Sequence, residues 1–354
     1  MKLEFRPFDL RLKHTWTIST SAKAGGGSMV AQTVFVRLTD GATVGLGEAP
    51  TTRRYAETVA RIEDFLKRVD ASKLSFADVT GSMAYLETVT PGSPSAKCGI
   101  NAALLDGAAR IAGKAVYDFL GLGFTEKKHI TSLTIGIDTP DRIRQKTVEA
   151  AAFPALKLKI GVPADRENLA ALRSVAPTKS VRADANEGWA TKEEALRELE
   201  WLAKDPHIEF VEQPLPASAA PADFAWLKSR SPLALFADES YHHASDAARC
   251  AECFHGVNVK LVKTGGITGA FEALKAARKL GLKTMVGCMI ESSILISSAA
   301  HVAELTDYLD IDGNILINND PYAGPTSDNG VVSFANAAER VGLRLRARAA
   351  DPFA

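Results

Sequence analysis

The sequence predicts an α/β protein in which a β/α barrel follows an α+β region, and three observations lead there. From about residue 130 onward, short apolar runs alternate with helical patterns, giving eight candidate strands with seven helices between them. Five of those runs end at Lys159, Asp184, Glu212, Asp238 and Lys263, in steps of 25, 28, 26 and 25 residues. One strand–turn–helix–turn unit has about that length. Residues 1 to about 125 have a different texture, with alternating strands and a hairpin signal followed by helices.

The early strands are expected at 3–12, 32–38 and 43–48, the last two joined by Thr39-Asp40-Gly41, a hairpin signature. Helical periodicity follows at 55–69 and 99–112. Between them, residues 17–30 carry Gly25-Gly26-Gly27 among small polar residues and predict no packed element. A surface loop and a lid over a site both fit that stretch. The barrel strands are expected at 131–137, 156–160, 180–183, 208–211, 233–237, 257–262, 283–287 and 308–311. Thr191 is placed to cap a helix at 192–203, and Gly281 to end one at 269–280. An open doubly wound sheet alternates in the same way, so barrel closure is an expectation. No final helix follows the eighth strand. Residues 318–329 read as loop, and 330–354 mix strand and turn signals, as a tail returning to the first region would. The resulting division is 1–125, 126–320 and 321–354.

Composition narrows the function classes. Lys plus Arg and Asp plus Glu both number 42, so neither a basic footprint for nucleic acid nor an acidic tail is present. No apolar run is long enough to span a membrane, and the first residues lack the apolar core of a signal peptide. With only four cysteines, reduced thiols and a cytoplasmic setting are expected. Cys250 and Cys253 have CxxC spacing without a second pair, so they read as ordinary helix cysteines.

The strand ends carry the chemistry. Barrel active sites lie at the C-terminal ends of the strands. Asp184, Glu212 and Asp238 end successive strands, which lie about 5 Å apart, so their side chains converge on one point. An all-oxygen set suits a hard cation such as Mg2+. Lone carboxylates there would cap helices instead, but three in succession between lysines favour a metal. Lys159 and Lys263 fall on strands two and six, half a circumference apart, and so face each other. Two bases on opposite faces of one carbon are what stereochemical inversion needs. A lysine titrates near 10.4 and must come down to about 7–8 to serve as a base, which a cation and the neighbouring Lys157 would favour. His242 and His243 lie beyond a strand end and read as surface or supporting residues.

With these motifs in place, Lys157-Leu158-Lys159, Asp184-Ala185-Asn186, Glu212-Gln213-Pro214, Asp238-Glu239-Ser240 and Lys263-Thr264-Gly265-Gly266, the chain resembles the muconate-lactonizing subgroup of the enolase superfamily over nearly its whole length. The resemblance implies a (β/α)7β modified TIM barrel, capped by an α+β domain built from the N-terminal region and the C-terminal tail. It implies one Mg2+ held by Asp184, Glu212 and Asp238, with Mn2+ as a substitute. Lys159 and Lys263 would be the acid/base pair, and Lys157 would assist by charge near the substrate carboxylate. Asp310-Ile311-Asp312 resembles the pattern of dipeptide epimerases, whose acidic pair holds the substrate's α-ammonium; period two puts both on one face. Thr134 and Glu291 fall at further substrate-contacting positions. The implied activity is an isomerase that epimerises the C-terminal residue of a dipeptide, and the family's barrels often associate, so a homo-oligomer is the expectation. N-acylamino-acid racemase, o-succinylbenzoate synthase or cycloisomerase chemistry is the alternative within the subgroup, and a non-catalytic binding barrel the alternative outside it. Relatives specific for Ala-Glu carry an arginine in the capping loop. Here Thr20 stands near that place and Lys23 is the loop's one cation, so Ala-Glu specificity does not transfer.

Overall fold

Alternation at the start of the chain becomes an antiparallel sheet of β1 (Lys2–Trp16), β2 (Ser28–Asp40) and β3 (Thr43–Pro50) in the computed structural model, which describes residues 1–23, 25–348 and 351–353. Asp40 pairs with Thr43 across the predicted tight turn, where Gly41 takes φ +56°. Period two divides β2 between two cores. Val34, Val36 and Leu38 pack on Ile62, Phe65 and Leu66 of the helix Val59–Arg68, whose first turn is capped by Thr58. Phe35, on the other face, joins the core of the barrel. The helix Pro94–Ile111 is buried along nearly all its length because β3 lies directly on it. A Cβ on Gly45 would fall 2.0 Å from Ala103 O, and one on Gly47 would fall 1.9 Å from Gly99 O. Two findings differ from the expectation. The helix Val79–Val89 went unpredicted, and the segment expected to hold no element contains a short helix, Ser19–Lys23.

The second half forms eight parallel strands: β4 (Leu133–Ile135), β5 (Ala155–Lys159), β6 (Ser180–Asp184), β7 (Ile208–Glu212), β8 (Ala234–Ala237), β9 (Gly256–Lys260), β10 (Lys283–Gly287) and β11 (Tyr308–Asp310). Their spatial order is their chain order, without the reversal of a doubly wound sheet. The first and last strands meet where Thr131 bridges to Leu309 and Ser132 N donates to Leu309 O at 3.2 Å. The fold is therefore a nearly closed barrel beneath an N-terminal antiparallel cap. Inside the barrel, Phe210 stacks on Phe236 at 4.1 Å with Met285 beside them, an apolar cluster below the strand ends. Predicted helix signals hold here too: Thr191 accepts from Glu194 N, and Gly281 takes φ +76° just past Ile267–Lys279.

Among the described residues no α-helix follows β11, only a single 3-10 turn at Asp328–Gly330. The chain passes Asp312 and pairs with the cap: Leu12 bridges Ile317, and Lys13 N donates to Leu316 O at 2.9 Å. The tail then touches both parts, with Val332 N donating to His129 O at 2.9 Å and Arg37 Nη1 to Phe353 O at 3.1 Å. Among the described residues, no helix is long and apolar enough to cross a membrane.

Candidate active site

Parallel register sets the level of the site. Lys159 pairs with Asp184, and Asp184 with Glu212, so three charged side chains leave adjacent strands at one height. Asp238 follows the end of β8. One carboxylate oxygen from each of Asp184, Glu212 and Asp238 lies within 4.8 Å of the others, and all three residues are buried. Burial penalises each charge, and lysines answer it. Against burial, Lys157 and Lys159 hold Asp184 down to about 2, while Lys260 and Lys263 hold Asp238 well below the carboxylate range. Glu212 is pushed up to about 7 by burial, with Asp184 adding repulsion.

The donor set fits a hard cation. Glu212 Oε1 accepts from Asn258 Nδ2 at 2.8 Å, whereas Glu212 Oε2 lies 2.8 Å from Lys157 Nζ without hydrogen-bond geometry. Asn186 Oδ1 and Glu239 Oε2 are also buried and unpartnered beside the triad. Surplus oxygen acceptors around three converging carboxylates match octahedral oxygen coordination with positions left for other ligands.

Four lysines surround the triad. Lys159 Nζ donates to Asp184 Oδ2 at 2.6 Å, and Lys260 Nζ to Asp238 Oδ2 at 2.8 Å. They end β5 and β9, four strands apart in a barrel of eight, and so flank the triad from opposite sides. Lys157 Nζ bridges the centre, 3.0 Å from Asp184, 2.8 Å from Glu212 and 2.7 Å from Asp310. Burial opposes its charge, but these carboxylates outweigh burial and hold it well above its usual value. Lys263 is placed differently from the sequence expectation. It lies past the strand in the turn Leu261–Thr264, where its ammonium is tied to Asp238 Oδ1 at 2.6 Å, to Asn258 O at 3.2 Å and to Asp238 O. The inward-facing lysine at the end of β9 is Lys260, by the same alternation that turns Lys157 and Lys159 inward on β5.

On the seam between the first and last barrel strands, Asp310 accepts from Ser132 Oγ and Lys157 Nζ, each at 2.7 Å. Asp312 Oδ2 accepts from the backbone N–H of Thr134 at 2.6 Å, which brings Thr134 to the acidic pair. Burial, with Asp310 adding, pushes Asp312 up to about 6. Glu291 makes no hydrogen bond to that pair; it accepts from Met289 N at 2.9 Å, and burial together with Glu48 of β3 lifts it to about 8. Thr20 is exposed, and Lys23 Nζ donates to Gly188 O at 2.8 Å. His242 Nε2 lies 3.0 Å from Glu239 O, and burial lowers its pKa. Cys250 and Cys253 are buried free thiols.

Sequence reasoning missed the turn that follows Asp184. Asn186 and Glu187 take φ +43° and +63°, strained values for such residues. The turn is held from three sides: Ser19 Oγ donates to Ala185 O and Asn186 O, Lys23 to Gly188 O, and Arg54 to both oxygens of Glu187 at 2.7 and 2.9 Å. These partners lie more than 130 positions apart, so no local pattern announces them.

Residues 141–328 match the family model described as enolase C-terminal domain-like. A protein named L-Ala-D/L-amino acid epimerase, from Pedosphaera parvula, is 59% identical over 349 residues, covering 98% of this chain and 100% of its own. Among solved structures, a substrate-liganded complex of the L-Ala-D/L-Glu epimerase from Bacillus subtilis superposes with TM-score 0.88 at 26% identity, covering 97% of each chain. A dipeptide epimerase from Enterococcus faecalis, complexed with Mg and L-Leu-L-Tyr, superposes with TM-score 0.86 at 28% identity, covering 97% of this chain and 98% of that one.

Proposed function

We propose, from the premise that this chain belongs to the enolase C-terminal domain-like family, that it is an isomerase inverting the α-carbon of the C-terminal residue of a dipeptide, with Lys159 and Lys260 as the two bases. The observation that carries the reading is the placement of those two ammonium groups on opposite sides of one buried carboxylate triad.

Asp184, Glu212 and Asp238 would hold a divalent cation, Mg2+ by the hardness of its ligands and Mn2+ as a substitute. When bound, that ion supplies positive charge that makes the α-proton of a neighbouring carboxylate substrate more acidic. Lys159 takes the α-proton from one face while Lys260, protonated, delivers one to the other; the reverse reaction exchanges the roles. Lys157, fixed between the triad and Asp310, offsets negative charge as it develops on the substrate's carboxylate. Asp310 and Asp312, with Thr134 orienting the second, receive the free α-ammonium of the N-terminal residue. Lys263 is assigned to holding Asp238 in place rather than to proton transfer. Residues 1–125 and the tail 321–354 form the cap that shuts the site from water.

The test is incubation with L,L-dipeptides in deuterated water containing Mg2+. One deuteron should enter each C-terminal α-carbon as the diastereomers interconvert. Absence of label in every dipeptide tried would remove this reading.

A further inference from the structure

A planar α-carbon between Lys159 and Lys260 has three substituents in its plane. The carboxylate turns toward Asp184, Glu212 and Asp238, and the amide nitrogen leads toward Asp310 and Asp312. The side chain is left with the direction of the barrel mouth, where the cap stands over it.

Two cap segments reach that mouth, the end of β1 with the helix Ser19–Lys23, and the turn Arg53–Tyr55. Their cations are engaged elsewhere. Lys23 Nζ donates to Gly188 O at 2.8 Å, and Arg54 grips Glu187, whose Oε1 also accepts from Ala217 N at 2.7 Å. Both hold the same turn, the one that leaves Asp184. Arg53, the remaining cation of its turn, is exposed to solvent.

The groups set beside the lysines are aromatic. The Trp16 ring centroid lies 5.9 Å from Lys159 Nζ. On the other side, the Tyr55 ring meets the edge of His242 at 5.3 Å, and His242 Nε2 reaches the carbonyl of Glu239, the residue after Asp238. Burial, with Asp238 and Glu239 adding, raises the Tyr55 phenol far above its usual value, so its hydroxyl is neutral. Trp16 also borders a cavity of about 180 Å3 whose apolar lining includes Leu12, Leu133, Ile135, Phe153 and Leu316. Charged groups at its edge pair with one another or with near neighbours, His14 with Glu149 at 2.8 Å and Lys146 with Asp138 at 2.8 Å. Lys13 also lines this cavity, but from the solvent-exposed face of β1 that carries Arg11.

We propose that Trp16 and Tyr55 are the specificity walls for the epimerised residue, that its side chain is uncharged and apolar or aromatic, and that Lys23 and Arg54 are latches rather than recognition groups. This rests on the dipeptide reading above. An acidic side chain in that position would be desolvated without a partner, whereas an apolar one gains burial.

The experiment is a panel of L-Ala-L-X dipeptides, followed by deuterium entry at the C-terminal α-carbon with Mg2+ present. Values of kcat/KM for X = Leu and Phe should exceed those for Glu and Asp by about tenfold or more. Acidic dipeptides reacting as fast as Leu and Phe would overturn the inference and leave the dipeptide reading standing. No label in any member, L-Ala-L-Ala included, would overturn both. This panel uses the parent protein and does not depend on how a variant folds. Tyr55→Ala and Trp16→Ala should lower the Leu and Phe rates relative to L-Ala-L-Ala, mainly through KM. An unchanged ratio in both would count against the walls. Lys23→Met should lower kcat/KM by a common factor for every dipeptide, and a loss confined to acidic substrates would make Lys23 a recognition group after all.

Discussion

Lys260, the proposed second base, shows where a single residue escapes a sequence reading. Near-even spacing pointed to Lys263, 25 residues beyond Asp238, but β9 ends at Lys260. The expected strand at 257–262 ran two residues too far, and parity along a strand is lost with its end. The helix before β9, Ala247–Cys253, is short, which shortens this repeat and defeats a count of equal steps. The convergence of the triad and Lys159 was legible because Lys159, Asp184 and Glu212 end their strands and Asp238 follows β8 directly. Lys260→Ala should therefore lower epimerisation by about 10²-fold or more while one diastereomer still exchanges its proton through Lys159. Lys263→Met should leave exchange of both diastereomers measurable and lower the melting temperature, since it exposes the buried Asp238 to loss of a partner. Isotope exchange resolved by diastereomer separates the two lysines; parent-rate epimerisation by Lys260→Ala would refute the assignment. Asp312→Asn should raise KM for dipeptides by about tenfold, close to the strength of one charge-assisted bond, and affect N-acetylated analogues less. Equal effects on both would deny the ammonium role.

Among elements, the eight strands and the early hairpin were readable because strict periodicity and turn chemistry fix them locally. The helix Val79–Val89 was not, since its apolar residues do not gather into one stripe; only Ser82 and Leu86 are buried. Nor was the contact between β3 and the helix Ser293–Ala300, which depends on a cap carboxylate meeting a barrel helix. Glu48 accepts from Ser292 N and Ser292 Oγ at 3.0 and 2.6 Å, with Asp320 on Ser293 beside it. Burial pushes Glu48 up to about 7 and Glu291 up to about 8. In the unfolded chain both ionise near 4.5, so between that value and about 8 the folded protein holds protons that the unfolded chain has released. Their favourable contribution is complete below the unfolded value and is lost as pH rises through about 7 to 8. The melting temperature of the parent should fall between pH 6 and pH 9 more steeply than that of Glu291→Gln. Matching slopes would show that this carboxyl does not titrate there.

At the scale of the whole molecule, cap and barrel act on one buried cluster. A ligand that binds only the folded state adds about 2.7 kcal/mol at a hundred times its dissociation constant. For a chain of this size, Mg2+ should then raise the melting temperature by several degrees over the same protein in EDTA. In Asp184→Asn that increment should vanish; an undiminished one would place the ion elsewhere. The alternation of strands and helices was foreseeable from rhythm, but closure was not, since an open sheet alternates in the same way, and neither was the marriage to the cap, because Arg54 and Glu187, or Leu12 and Ile317, are joined only by the finished fold. The direct passage of the chain from β11 to the cap has a further result. Asp310 ends β11 and Asp312 lies two residues past it, and the chain beyond Asp312 is stitched to β1 within five residues, so the acidic pair is not a detachable module. Grafting it into another eight-stranded host would require transplanting the first hairpin as well, and, if the pair holds the substrate's ammonium as proposed, swapping that hairpin between homologues would retune that grip without altering a single barrel residue.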